Sequence, residues 1–188
     1  MDIQHVQQSL SDWERLYQDL GLSQFDFSTL AIPEMKPGFD RLIVVRAGFT
    51  PNSVCDFMLP WMRVWRYRDL NAVNSNRSTA EHYAVWARDR AEADEELTGM
   101  TVEELEAAGV LCMNLAERLL FGLKFFLETK KQLDPACMTW CVGSHDPMGG
   151  IPIVGPSVAR GYDVGIGICW DRVDRPSGLI RPRAVLVA

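Results

Sequence analysis

The chain has 188 residues, of which 47% are hydrophobic and 23% charged, and its formal net charge is −6. This composition is typical of one soluble globular domain and argues against a disordered chain. The negative charge argues against a general nucleic-acid binder, because phosphate contacts require a concentrated excess of Lys and Arg.

The start of the chain has neither the basic residues nor the apolar core of an export signal. No stretch reaches the roughly 20 apolar residues that span a bilayer. The five cysteines are an odd number spread over a mid-sized chain, which fits buried thiols better than a disulfide framework. We therefore expect a cytoplasmic protein with no membrane contact and no structural disulfide.

The first elements are predicted to be a helix, an extended connector and a strand. Apolar residues recur at spacings of three and four over residues 2–20, and Gly21 follows as a stop signal. Two prolines and a glycine indicate an extended connector over residues 22–40. A β-branched run over residues 41–45 then predicts the first strand.

Helices are predicted to follow in the middle of the chain. Thr50 precedes a proline, which is a favourable helix start because threonine can cap N–H groups and proline suits the first turn. The helix is predicted over residues 51–69, with a kink or break at Pro60. A Ser-Thr pair precedes the next predicted helix, which runs to Leu97 with a strongly charged outer face.

Two further helices are predicted from reciprocal capping patterns. Thr101 with Glu104, and Asn114 with Glu117, have the spacing in which a capping side chain and a carboxylate satisfy each other's backbone donors. The second of these helices should end near Thr129. It is apolar on nearly all sides and therefore requires burial around its circumference. We expect it to run under the C-terminal sheet; the alternative is that one face forms a homo-oligomer interface.

Short β-branched runs separated by Gly, Pro and Asp turns dominate the end of the chain, and helices followed by such a meander predict an α+β fold. We expect N-terminal and central helices packed on a C-terminal, mostly antiparallel sheet of about three to five strands. One domain is predicted, comprising a helix and connector (1–40), a strand plus helical region (41–130) and a β-meander (137–188). The predicted C-terminal strands cover residues 138–142, 151–154, 164–170 and 184–187.

Cys137, Cys141 and His145 are spaced by four and would share one face of a helix, as a zinc site requires. The residues between them instead favour a strand, in which positions four apart lie about 13 Å from each other. Metal–ligand bonds of about 2.0 to 2.3 Å cannot span that separation. We predict no metal site and no cofactor, and expect buried cysteines.

The same segment also suggests a catalytic hypothesis. Cys141 could act as a nucleophile with His145 as its base and Asp146 orienting the imidazole. Contiguous residues in a tight turn point in different directions, however, and catalytic partners normally come from separate parts of a fold. A loop histidine is therefore the competing interpretation.

Two groups of residues are candidates for binding a partner. Arginines interleaved with aromatic residues over positions 63–68 (RVWRYR) suggest a nucleic-acid- or phosphate-contacting element, although on a helix they would point around the axis. The acidic residues between positions 92 and 106 could meet a basic partner, whereas most charged helix faces are only solvated. The candidate residues are Trp61, Arg63, Trp65, Arg66, Glu92, Glu95, Glu96 and Glu103.

The chain also resembles a group of uncharacterised bacterial proteins, some of them carried by mobile elements. The resemblance implies a bacterial or phage protein of the cytoplasm, and it carries over no catalytic or binding residue. It covers roughly residues 40–187, through the segments 83–90 (YAVWARDR), 92–97 (EADEEL), 117–120 (ERLL), 141–144 (CVGS) and 152–154 (PIV).

Together these patterns favour a non-enzymatic protein-interaction module, of the accessory kind found in phages or mobile elements. Its expected partner is another protein, with a second copy of the chain as the alternative, and nucleic acid is not expected. The competing hypothesis is a small cysteine- and histidine-dependent hydrolase or transferase. An enzyme of that kind would bring the two residues into one concave pocket with a third polar group.

Overall fold

The computed structural model describes residues 3–22, 27, 30–66, 69–157, 165–171 and 177–188, with only the backbone of Asp171. Its α-helices are α1 (Ile3–Asp19), α2 (Pro51–Met58), α3 (Val102–Ala107) and α4 (Leu115–Thr129). Its strands are β1 (Arg41–Val45), β2 (Arg63–Arg66), β3 (Asn74–Ser75), β4 (Tyr83–Ala87), β5 (Met138–Trp140), β6 (Ser144–His145), β7 (Ile151–Pro156), β8 (Gly165–Asp171), β9 (Ile180–Pro182) and β10 (Val185–Leu186).

The described strands form three sheets, with the orders β1-β4-β10, β2-β8-β7-β5-β9 and β3-β6. In the five-stranded sheet, β7 pairs antiparallel with both β5 and β8. The outer strands β2 and β9 run parallel to their neighbours β8 and β5. Helices packed on segregated, largely antiparallel sheets confirm the predicted α+β class.

Helix α1 covers the edge of the three-stranded sheet. Its buried Trp13 donates a hydrogen bond from Nε1 to the carbonyl of Leu42 at 2.8 Å, and its buried Tyr17 donates to the carbonyl of Val44. Both carbonyls belong to β1, which pairs on its other side with β4. The helix therefore satisfies backbone groups that an exposed edge strand would leave to water or to another chain.

Helix α4 is the central element of the core, as its apolar sequence predicts. Every residue from Leu115 to Phe125 is buried, and the helix contacts β1 in one sheet and β7 in another. The helix also buries the guanidinium of Arg118, because Gly122 leaves room for it. A Cβ at Gly122 would lie only 2.7 Å from Nη1 of Arg118.

The predicted helix caps are confirmed. The side chain of Thr50 accepts from the N–H of Ser53 at the start of α2. The predicted reciprocal boxes form at α3 and at α4, where Asn114 and Glu117 complete the pair. These interactions span only three residues, so the local sequence is sufficient to specify them.

The helix predicted over residues 51–69 is wrong beyond Met58, where α2 ends. Residues 63–66 instead form β2, which pairs with β8. The half-buried ring of Trp65 lies over Gly165, at a place where a Cβ would overlap the ring. Pro60 thus marks a break rather than a kink, and a strand distant in the sequence decides the conformation that follows it.

The helix predicted to reach Leu97 is also wrong. Residues 83–87 form β4, the middle strand of its sheet, paired with β1 and with β10. Ala84 to Ala87 are all buried, as is usual for a strand covered on both faces. Of residues 88–97, the rest of that predicted helix, only residues 95–97 are helical, as a short 3-10 turn.

The C-terminal meander is confirmed for its central strands β5, β7 and β8 and corrected at its ends. Strand β10 leaves that sheet and pairs with β4 in the three-stranded sheet. Strand β9, which was not predicted, occupies the edge beside β5. Because the end of the chain connects two sheets, the predicted division into a helical part and a separate β part is too simple.

Candidate functional site

A buried carboxylate, Asp134, is the centre of one network of charges. Arg118 of α4 lies with Nη2 2.7 Å from one carboxylate oxygen, and Arg183, between β9 and β10, pairs with the other at 2.5 Å. The hydroxyl of Thr139 on β5 also donates to the carboxylate. All four side chains are buried, so this network links α4, the five-stranded sheet and the chain entering β10.

Arg183 of this network also forms hydrogen bonds to residues 88–94, part of the segment that was predicted to be a helix. Arg183 donates to the backbone carbonyls of Arg90 and Ala91 at 3.1 and 3.0 Å. Buried Asp94 pairs with Arg88 at 2.6 Å and accepts from the N–H of Ala184 at 2.8 Å. The carbonyls of Arg90 and Ala91 thus find their hydrogen-bond partner in the Arg183 guanidinium and not in the N–H groups of a helix, within a segment, residues 88–94, that is irregular.

One group in the described residues has the composition of a metal site. Potential ligand atoms of Glu92, Asp134 and Cys137 lie within 4.8 Å of one another. Both oxygens of Asp134 already face arginines, and the thiol of Cys137 donates to Glu92 at 3.0 Å. Burial, with the hydrogen bond to Glu92, raises the pKa of Cys137 to about 12. Each of the three potential ligand groups therefore already has a hydrogen-bond or charge partner within the protein.

The Asp134 network predicts a specific dependence of stability on pH. Burial alone would raise the pKa of Asp134, but the charges of Arg118 and Arg183 and its hydrogen bonds lower it below the ordinary value. A carboxyl with a depressed pKa in the folded state stabilises the fold fully above its unfolded pKa of about 3.9. That contribution disappears as the pH falls from about 5 through the folded-state pKa.

Urea unfolding between pH 7 and pH 3 measures this contribution, with Asp134→Asn as the reference that lacks the titrating group. The difference in unfolding free energy between the two proteins should be constant near neutrality and should shrink in acid. A difference that is the same at every pH would show that the carboxylate is not preferentially ionised in the folded state.

A second buried charge cluster lies at the start of α4. Glu117 is fully buried, and its carboxylate accepts hydrogen bonds from Nη2 of Arg77 at 2.7 Å and from the backbone N–H of Asn114 at 2.9 Å. The amide of Asn114 donates to Glu117 and to the hydroxyl of Tyr83. Burial raises the pKa of Tyr83, and the nearby charge of Glu117 adds to that effect, so the phenol stays protonated.

The same cluster borders a polar cavity of about 270 Å³, which we call the Arg77 pocket. It opens between the first turns of α2 and α4 and the segment 70–79. From the sequence, Asn71, Asn74 and Asn76 predicted a loop and Ser78 or Thr79 a helix cap, so no pocket was expected there. Its hydrogen-bonding side chains include Thr50, Asn71, Asn74, Ser75, Ser78 and Ser144.

A larger groove of about 530 Å³ lies between α1 and α4, and we call it the Trp61 groove. Its apolar lining is formed by Leu16, Leu20, Leu127 and the side of Trp61, whose surface is 45% exposed. Three acidic and three basic side chains surround this lining. An exposed tryptophan beside a groove with an apolar floor has the composition of a protein-binding hot spot.

The residues of the catalytic hypothesis do not form a reactive group. Cys141 is fully buried, and its thiol points to the carbonyl of Thr139. Burial raises the pKa of Cys141, which disfavours the thiolate. His145 is exposed on β6, whereas Asp146 accepts from the backbone N–H groups of the following turn. This geometry gives the hypothesis no support.

The predicted partner-binding residues are distributed over several surfaces. Trp61 lines its groove, whereas Trp65 packs on Gly165 and Arg66 pairs with Asp56 of α2. Exposed Arg63 lies on β2, as do Trp65 and Arg66. Of these four aromatic and arginine candidates, Trp61 lines the Trp61 groove and the other three belong to β2.

Two of the four acidic candidates interact with the rest of the protein, and two are exposed. Glu92 accepts from the backbone N–H of Ala136 and from Cys137, and Glu96 pairs with Arg88 at 3.2 Å, so both stabilise the fold. Glu95 and Glu103 are exposed. The exposed acidic surface is therefore smaller than a continuous helix would present, because the carboxylates of Glu92 and Asp94 contact the rest of the protein.

Comparison with known proteins adds no relative to this description. No protein-family model matches the chain, and no match is found among curated proteins or solved structures. Among the described residues, no helix combines the length and apolar character needed to cross a membrane. The functional argument therefore depends on the geometry of the Trp61 groove and the Arg77 pocket.

Proposed function

We propose that the protein is a non-enzymatic interaction module that binds another protein through the Trp61 groove. The observation that supports this most strongly is the position of Trp61, which is exposed at the edge of a groove with an aliphatic floor. Tryptophan is enriched among residues whose truncation weakens protein interfaces most, because its large ring buries much apolar area with few rotatable bonds.

The charges of the groove favour a particular occupant. Arg15, Asp19 and Lys130 are exposed around the aliphatic floor, which places both signs of charge beside an apolar stripe. An amphipathic helix offers the complementary pattern, with apolar residues along one stripe and charges of either sign beside it. A polyanion such as nucleic acid would meet the acidic members of the same rim.

The groove itself is built to keep its shape. Lys124 lies across the ring of Trp13 and pairs with Glu128 at 2.9 Å, so α1 and α4 are joined beneath the rim. Glu128 also pairs with Arg41 of β1. A groove whose walls are tied to the core loses little conformational entropy when a partner binds.

The sequence resemblance alone supports a bacterial or phage accessory protein as the biological setting of this module. A cytoplasmic location is proposed on the same basis. Another protein is the proposed partner, rather than a second copy of the chain, because the groove is one localised concave feature and not a large flat apolar surface.

The proposal predicts that Trp61 dominates binding of a helical peptide. Selection from a displayed library of amphipathic helical peptides, using the full chain, should yield ligands that bind the groove. Trp61→Ala should weaken them by about 30-fold or more, which corresponds to the ~2 kcal/mol typical of a hot spot. Isothermal titration calorimetry measures the change.

Leu111→Ala is the matched control, because Leu111 is also 45% exposed but does not line the groove. Its affinity for the same peptides should equal that of the unmodified protein. The proposal would be contradicted if the selected peptides bound Trp61→Ala as tightly as they bind the unmodified protein. Dimerisation of the free protein that Trp61→Ala abolishes would also contradict it, because a second copy would then occupy the groove.

A further inference from the structure

The Arg77 pocket is separate from the Trp61 groove and is chemically different from it. Among the residues that the structure describes, six charged side chains line the groove, whereas Arg77 is the one charged residue lining the pocket. The other lining side chains are hydroxyls, amides and a few apolar groups. A pocket of this kind selects a small molecule rather than a protein surface.

The charge of Arg77 is already compensated. Its Nε and Nη2 both bond to the carboxylate of Glu117, and Nη2 also donates to the carbonyl of Cys112. Since Glu117 is fully buried behind the pocket, it cannot exchange this arginine for water. The pair therefore offers an anionic ligand no uncompensated cation and a cationic ligand no open carboxylate.

Four hydroxyl groups of the pocket share one arrangement. Those of Thr50, Ser75, Ser78 and Ser144 each accept a hydrogen bond from a backbone N–H, at distances of 2.9 to 3.3 Å. Among the described residues, none of the four donates its own hydrogen to a protein acceptor. Each is thus held in place with an O–H left to donate.

The amides of Asn71 and Asn74 add both donors and acceptors to these hydroxyls. Phe49, Leu70 and Val73 supply an apolar wall on which the face of a ring could pack. A volume of about 270 Å³ lies just below the usual range for drug-sized ligands, roughly 300 to 1,000 Å³. The pocket therefore suits a single ring bearing several hydroxyl groups.

We propose that the Arg77 pocket binds an uncharged, hydroxyl-rich molecule the size of one monosaccharide. Each ligand hydroxyl can accept from a protein O–H and donate to an asparagine carbonyl, while its C–H face contacts the apolar wall. The site is independent of the Trp61 groove, so either proposal can fail without the other.

Nuclear magnetic resonance titration of the full chain with glucose, galactose, mannose and ribose tests the proposal. At least one sugar should shift the backbone amide signals of residues around Thr50, Asn74 and Ser144, with saturation below about 50 mM. The apparent affinity should be unchanged between about 0.05 and 0.5 M salt, because no charges are brought together.

Asn71→Leu should weaken that binding by at least about 10-fold, since it replaces an amide of the pocket with a bulkier apolar group. Ala72→Leu is the matched control: it lies in the same exposed turn and does not line the pocket. It should bind as the unmodified protein does. Both variants retain the fold if their amide spectra stay dispersed.

Three results would overturn the proposal. The first is that none of the sugars shifts a localised set of amide signals in the unmodified protein. The second is inorganic phosphate binding more tightly than every sugar, with affinity that falls as salt rises, which would make the pocket an anion site. The third is undiminished sugar binding by folded Asn71→Leu, which would place the ligand elsewhere.

Discussion

Replacing Asp134 by asparagine should lower the free energy of unfolding by about 3 to 5 kcal/mol. The carboxylate neutralises Arg118 and Arg183, both of which are almost wholly buried. Asparagine keeps the shape of the side chain but removes the carboxylate charge that both buried guanidinium groups contact directly. Urea unfolding at neutral pH, followed by tryptophan fluorescence, measures the loss.

Glu96→Gln is the control for this experiment. Its carboxylate also contacts two arginines, Arg88 and Arg90, but 41% of the side chain is exposed, so water and salt screen the pairs. The expected loss is below about 1 kcal/mol. If Asp134→Asn cost no more than Glu96→Gln, the buried network would not be a main source of stability.

A second variant keeps the experiment informative if Asp134→Asn does not fold. Replacing Arg183 by methionine together with Asp134→Asn removes one of the two stranded charges. The double variant should fold and be more stable than Asp134→Asn; where both single variants fold, its loss should also be smaller than the sum of theirs, because residues in one network do not act additively. Strict additivity would contradict direct coupling between Asp134 and Arg183.

Replacing Glu117 by glutamine should lower the free energy of unfolding by about 3 kcal/mol, near the lower end of the range for a broken buried pair. The carboxylate is fully buried, but the side chain of Arg77 is 13% exposed and can regain some water. Glutamine can still complete the cap of α4 with Asn114, so the loss reports mainly the ion pair.

The matched control is Glu104→Gln in α3. Glu104 occupies the same position in a reciprocal cap, paired with Thr101, but it is exposed. Glutamine should preserve that cap at a cost below about 0.5 kcal/mol. Equal losses for Glu117→Gln and Glu104→Gln would show that capping, not the contact with Arg77, explains the effect.

The candidate sites could be predicted only in part. Exposed Trp61 was among the sequence candidates, as a member of the aromatic- and arginine-rich segment near residue 65. The Arg77 pocket was missed because its walls come from the starts of two helices, from the segment 70–79 and from β6, which only the fold brings together. Arg118 and Glu117 were a signal that went unused: charged residues in an otherwise apolar helix must find buried partners.

The sequence by itself determined α1, β1 and the capped starts of α2, α3 and α4. Each depends on interactions between residues at most four positions apart, or on the burial of one continuous apolar run. Patterns of this kind can be recognised within a short window of the sequence.

Only the tertiary structure decided that residues 63–66 and 83–87 are strands and that residues 88–94 are irregular. Their conformations depend on pairing with β8, on pairing with β1 and β10, and on hydrogen bonds from Arg183. The charge pairs that organise the core join residues 16, 40 and 49 positions apart. Burial makes the loss of either partner of such a pair costly, and burial exists only after the chain has folded.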